Sequence, residues 1–280
     1  MHSFVFDNNY FESLVKDVNN HIVSLNDVEL NIAYKEIFRC IDHTTLHDED
    51  NDKNVSDFCH KATGFCKNPV FGSMASVCVF PEYVQIAKQI VSPYGLKVAA
   101  VVGGFPTGQM PLSLKLQEVR YAIENGADEL DFVINRGFFI GGDRNYLEKE
   151  ISSVYSECKG KVLLKVIIES GELKTPDLIY DASIIAMESG ADFIKTSTGK
   201  SSIGATPEAA FSMLHAIVDF QKNSNRRIGF KVSGGISTIS DALLYYTMTK
   251  KIMNVLDINN QFFRIGTSRL IGELSKKLTF

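Results

Sequence analysis

The chain has 280 residues, a formal net charge of −4 and 45% apolar residues. That length suits one α/β barrel of about 250 residues with a short extension, and the apolar share is enough for a large core. The acidic balance excludes an electrostatic grip on nucleic acid, no apolar run approaches a membrane span, and five irregularly spaced cysteines without a C-x-x-C pattern fit a reduced, cytoplasmic setting.

Residues 1–35 read as a helical N-terminal extension ahead of a barrel domain over residues 36–280. Asp7 and Glu12 break up the N-terminus, so no signal peptide is expected. Strand candidates then follow in order: Ile37 to Ile41, Ala75 to Phe80, Lys97 to Val102, Glu129 to Ile134, Val162 to Ile168, Phe193 to Thr196, Ile228 to Val232 and Phe262 to Ile265. Longer helical segments separate them. Thr175 before Pro176 and Thr206 before Pro207 place a capping hydroxyl ahead of a proline at the first helical position. Asp143 is placed to cap the helix before Tyr146 and Leu147, and Gly126 and Gly190 stand where helices end. The segment Ala122 to Asp128 is echoed by Ala186 to Asp192. Eight repeated strand–helix units imply right-handed crossovers and a parallel sheet closed as a (β/α)8 TIM barrel; an open doubly wound sheet is the alternative. The pairs Arg226 and Arg227, Lys250 and Lys251, and Lys276 and Lys277 read as solvated surface.

Strands buried on both faces should be almost unbroken apolar runs. Three consecutive candidates break that rule with Lys165, Lys195 and Lys231, each placed late in its strand. The C-terminal mouth of a barrel is where such folds carry chemistry. With an ordinary pKa near 10.4, only about one lysine in a few thousand is neutral at pH 7, and only the neutral amine attacks a carbonyl. Burial and a neighbouring ammonium both lower that pKa, so clustered lysines are a means of activation. A lone lysine in such a strand more often pairs with a carboxylate or snorkels outward, and spacing does not say which of the three is the nucleophile. Asp131 and Asp42 sit in similar apolar settings, Asp42 at the end of its strand, and read equally as proton shuttles or as cap and turn residues.

Gly234 and Gly235 follow the seventh strand, Gly266 and Ser268 close the eighth, and Gly199 with Lys200 follows the sixth. Glycine loops at these places bind phosphate through backbone N–H groups in many barrels, which points to a phosphorylated small molecule. Gly103 and Gly104 are expected to shape the mouth. His43 and His47 have i, i+4 spacing, but their segment reads as a loop without a third ligand, and no metal is expected. Cys78 reads as a core residue.

The segment Phe193 to Lys200, with sequence FIKTSTGK, closely resembles the Schiff-base segment of deoxyribose-phosphate aldolases. Leu164 to Glu169 with Gly171 to Leu173, Lys231 to Ile236, Glu124 to Asp131 and Ile41 to Leu46 resemble that family's flanking segments, in order from about Ile37 to Ile271. The resemblance implies a class I aldolase that cleaves 2-deoxy-D-ribose 5-phosphate reversibly to D-glyceraldehyde 3-phosphate and acetaldehyde. It implies that Lys195 forms the imine, Lys231 lowers its pKa, Asp131 relays protons, Lys165 supports Asp131 and Asp42 orders the polar network. Thr198, Gly199, Lys200, Gly234, Gly235, Gly266 and Ser268 would bind substrate and phosphate. The imine itself is the electron sink, so this chemistry calls for no cofactor. A homodimer or homotetramer is the base-rate expectation. The sequence departs from the family at Ser237, where arginine is common, at Arg269, where a serine is common, and at Phe280, where some members carry a tyrosine. Arg269 is expected to restore the positive charge lost at position 237. Two rival readings are another phosphosugar aldolase of the same class and a non-catalytic sugar-phosphate binder on the same barrel.

Overall fold

A computed structural model describes residues 4–67 and 72–278. Two helices come first: α1 (Asn8–Ser24), capped by Asp7, and α2 (Asp27–Arg39), opened by a capping box between Asn26 and Glu29. The repeating part begins with β1 (Ile41–Thr44), α3 (Asp52–Cys66), β2 (Ser76–Val79), α4 (Val84–Val91), β3 (Lys97–Val102) and α5 (Leu112–Glu124). It continues with β4 (Glu129–Val133), α6 (Arg136–Ile140), α7 (Arg144–Cys158), β5 (Leu163–Ile167), α8 (Ser170–Leu173) and α9 (Pro176–Glu188). The last units are β6 (Phe193–Lys195), α10 (Pro207–Lys222), β7 (Gly229–Ser233), α11 (Ile239–Met253), β8 (Phe263–Thr267) and α12 (Leu270–Lys277). All eight strands pair in parallel with their sequence neighbours, and β1 pairs with β8. The sheet is a closed (β/α)8 barrel.

The helix signals act as the residue types dictate. Thr175 and Thr206 accept from the N–H groups of Leu178 and Ala209, and Asp143 accepts from that of Tyr146. Gly126 and Gly190, two residues beyond the ends of α5 and α9, have φ of 97° and 115°, where a side chain would be strained. Two expectations fail. Ile37 and Phe38 belong to α2, not to the first strand: the capping box starts a helix whose buried stripe includes Ala33 and Ile37, and the strand begins only at Ile41. A short apolar run does not distinguish helix from strand until its flanks are weighed. Asp42 is accordingly the second residue of β1 and does not end it. Arg226 is also not free surface. Its guanidinium donates to the carbonyls of Met187 and Ala191, 2.7 Å each, and so satisfies the C-terminal end of α9.

The main core fills the space between strands and helices. A separate apolar cluster of Leu46, Cys78, Ala99 and Val101 lies within the barrel. Val101 pairs in register with Asp131, and Asp131 with Lys165, so these three share the inward side of the sheet. Small residues on β2 and β3 thus face the long charged side chains of the other strands. The N-terminal segment is held by aromatic rings: Phe4 stacks on Tyr180 at 4.3 Å, and Phe6 and Phe11 meet Phe211 edge-on. Among the described residues, no helix is long and apolar enough to cross a membrane.

Candidate active site

A chain of ion pairs fills the barrel interior. Asp131 on β4 is its centre and is fully buried. Its Oδ1 accepts from Lys165 Nζ at 2.8 Å, and its Oδ2 accepts from both Lys195 Nζ and Lys231 Nζ at 2.7 Å. Asp42 on β1 accepts from Lys231 through Oδ2 and from Arg264 Nη1 through Oδ1, the latter at 2.6 Å. Glu129 on β4 takes a two-pronged contact from Arg264, at 2.9 and 2.8 Å, and an ion pair from Lys165 at 2.7 Å. The register explains the convergence: Ile167 pairs with Lys195, Lys195 with Lys231, and Lys231 with Arg264, which raises the cations in steps around the barrel.

The three lysines differ in place and in protonation. Lys195 is the last residue of β6, whereas Lys165 and Lys231 stand in the middle of β5 and β7, so only Lys195 is late in its strand. Burial pushes the Lys195 amine below its ordinary value; Asp131 opposes this and Lys231 reinforces it. Lys231 and Lys165 are equally buried, but Asp131 and Asp42 outweigh burial for Lys231, and Asp131, Glu129 and Asp42 do so for Lys165; both amines lie above the ordinary value. Burial alone would raise the Asp131 carboxyl, yet Lys165, Lys195 and Lys231 together hold it well below the usual carboxylate range. Asp42 and Glu129 are held down against burial in the same way by Lys231, Lys165 and Arg264.

Above Lys195 opens a cavity of about 360 Å³. Thr198, Gly199, Lys200, Gly234, Gly235, Gly266 and Ser268 all line it together with Lys195, and so do Ser237 and Arg269. Lys165, Lys231, Asp42 and Asp131 lie beneath, outside its wall. The loops after β6 and β7 are locked to each other. Gly234 has φ of 86°, Ala205 donates to its carbonyl at 3.0 Å, and a methyl group on Gly204 would sit 2.3 Å from the same oxygen. Gly266 leaves room for Ser233 and Lys231, because a Cβ there would lie 2.9 Å from Ser233 Cβ and 3.2 Å from Lys231 Cε. The Gly103 and Gly104 amides donate to Glu118 at 2.6 and 2.9 Å, fixing the loop after β3. The two histidines are far from equivalent: His43 is buried and stacks on Phe58 at 4.2 Å, whereas His47 reaches the cavity. Phe280 falls outside the described residues.

Glu129, Arg264 and Glu169 were not singled out by the sequence reading. Glu129 opens its strand and Arg264 stands next to the end of its predicted one, yet both are at most 2% exposed. Glu169, fully buried behind the mouth, accepts from the Thr198 hydroxyl at 2.6 Å and from its amide at 3.2 Å.

The profile of the DeoC/LacD family of aldolases matches residues 37–254. The chain belongs to that family. It is therefore an aldolase, a carbon–carbon lyase. It is similar to human deoxyribose-phosphate aldolase, with 38% identity over 249 residues, covering 85% of this chain and 78% of the human protein. The bovine deoxyribose-phosphate aldolase is 37% identical over the same shares of the two chains. Among solved structures, a candidate deoxyribose-phosphate aldolase from Toxoplasma gondii superposes with a TM-score of 0.80 and 25% identity, covering 90% of this chain and 98% of the other. A tetrameric deoxyribose phosphate aldolase from Aeropyrum pernix shares the fold, with a TM-score of 0.70 and 23% identity over 95% and 97% of the two chains.

Proposed function

We propose that this aldolase cleaves 2-deoxy-D-ribose 5-phosphate reversibly through a Schiff base on Lys195. The observation that carries the reading is that Lys195, of the three interior lysines, is the one that reaches the cavity and the one whose amine is held below its ordinary value. The neutral Nζ adds to the C1 aldehyde of the open-chain sugar, and loss of water gives a protonated imine. The C2–C3 bond then breaks, its electron pair flows into the imine, and the C3 hydroxyl gives up its proton as glyceraldehyde 3-phosphate leaves. The remaining enamine is protonated at carbon, and water releases acetaldehyde and the amine. Asp131, 2.7 Å from Nζ, is in position to pass protons through these steps, directly or by one water. Lys165 and Lys231 hold it ionised between turnovers.

The phosphate would lie at the far side of the cavity, among the N–H groups of Gly199, Gly234 and Gly235, the Ser268 hydroxyl and Lys200. Arg269 lines the same wall as Ser237 and takes over the cationic role. Arg269→Ala is expected to raise KM for the phosphorylated sugar by about tenfold with little change in kcat, as loss of uniform binding requires. An unchanged KM would remove Arg269 from the site. A homodimer or homotetramer is the assembly we propose, supported by the tetrameric Aeropyrum pernix relative. A monomer mass by light scattering would exclude it.

The deciding experiment is incubation with 2-deoxyribose 5-phosphate, borohydride reduction and peptide mapping. A reduced adduct is expected on Lys195 and nowhere in the Lys195→Ala variant. Binding of the sugar phosphate without any adduct would point to a different donor or to a non-catalytic binder.

A further inference from the structure

The interior network extends beyond the groups that face substrate. Its deepest members are Arg264 on β8 and Glu129 on β4. Arg264 is 2% exposed, Glu129 is fully buried, and their two-pronged contact is supplemented by Arg264 Nη1 to Asp42 and Arg264 Nε to the Asn260 carbonyl, 2.6 Å each. Neither belongs to the cavity wall. Core arginine and glutamate are costly to bury, and a hydrophobic pair of similar volume would serve packing as well or better.

Counting charge shows what the pair does. The carboxylates of Asp42, Glu129 and Asp131 form direct ion pairs with the side chains of Lys165, Lys231, Arg264 and Lys195, all of them buried. Three acids balance Lys165, Lys231 and Arg264. The fourth cation, protonated Lys195, is the surplus. We infer that Arg264 and Glu129 are a positioning pair that sets the charge balance of the barrel interior, so that the neutral form of Lys195 is the electroneutral one. Other groups near Lys195 do not upset the count. Cys78 on β2 is a thiol whose burial pushes it up to about 11. Lys97 on β3 touches Glu129 at 3.6 Å but is half exposed and screened by water. Lys200 and His47 lie at the solvent-facing cavity.

The inference rests on Lys195 being the imine-forming residue, and it makes predictions of opposite sign. Glu129→Gln removes an acid, leaves the interior short of negative charge and disfavours protonation of Lys195. The acid limb of kcat/KM is then expected to move to lower pH by about one unit. Arg264→Met removes a cation, favours protonated Lys195 and moves the limb to higher pH by about the same amount. Arg264→Lys keeps the charge and keeps the limb. The Glu129→Leu/Arg264→Met double variant restores balance and returns the limb to its original place. A role in packing alone would lower activity without moving the limb in opposite directions.

Each variant is checked for folding by urea unfolding, and borohydride trapping is followed across the same pH range. If Arg264→Met does not fold, Glu129→Gln decides: a limb that stays or moves upward overturns the inference. Trapping on Lys195 with immobile limbs would sink the charge-setting role alone. No trapping on Lys195 in the unmodified protein would sink the Schiff-base reading itself.

Discussion

Replacing Lys195 with methionine is expected to lower kcat/KM by about 10⁴-fold or more while leaving the protein as stable as before, or more so. Both halves follow from one arrangement. The amine is the nucleophile of the proposed reaction, and among the described residues the other lysine lining the cavity, Lys200, stands at the proposed phosphate end. Yet Lys195 is 3% exposed and its folded-state amine is depressed chiefly by burial, so the fold bears a cost for holding it. Methionine fills nearly the same volume, leaves Asp131 its pairs with Lys165 and Lys231, and carries no charge. The expected stability change is therefore between about zero and about 2 kcal/mol of gain, read from urea midpoints. A loss of several kcal/mol would show Lys195 to be a structural counter-ion first.

Asp131→Asn is expected to behave the other way, losing both activity and stability. Three lysine side chains share this carboxylate at 2.7–2.8 Å, two of them, Lys165 and Lys231, held as ammonium groups. An amide cannot balance them, and removal of one member of a buried ionic set costs about 3–5 kcal/mol. Proton transfer by a positioned group contributes about 10²–10⁴-fold, so kcat should fall by that amount even in the folded fraction. The imine itself need not be lost, because the amine of Lys195 becomes still easier to keep neutral. Trapping should therefore still label Lys195, with slower exchange of the C2 protons of acetaldehyde against deuterium. Exchange at the unaltered rate would mean that another group moves the proton.

Much of this site is legible in the sequence because charge inside a doubly buried strand is costly and therefore stands out. Lys165, Lys195, Lys231 and Asp131 are visible on that ground. Which lysine would attack in the proposed reaction is not, because that reading rests on strand position and pairing across the barrel, and both need the register. Arg264 and Glu129 were passed over for a related reason. Each stands near a predicted strand boundary, where a charge looks like the start of solvent, and their partnership joins β4 to β8 across the barrel interior. Arg226 misled in the opposite sense: a basic pair looks like surface until the end of α9 is known to need donors. The first strand was misplaced where a helix and a strand share one apolar run, between Ile37 and Ile41.

The division of the interior charges along the chain has one more consequence. The buried acids stand on β1 and β4, and their buried counter-ions on β5, β6, β7 and β8. A break between β4 and β5 would therefore yield one fragment with an anionic seam and another with a cationic one. Neither fragment can dehydrate its seam alone, so each needs the other before it can fold. During synthesis Asp42 gains its full set of partners only once Arg264 has been made, 222 residues later. Closure of the barrel and neutralisation of its interior are then a single event, and half-made chains are kept open by the same charges that pair inside the finished barrel.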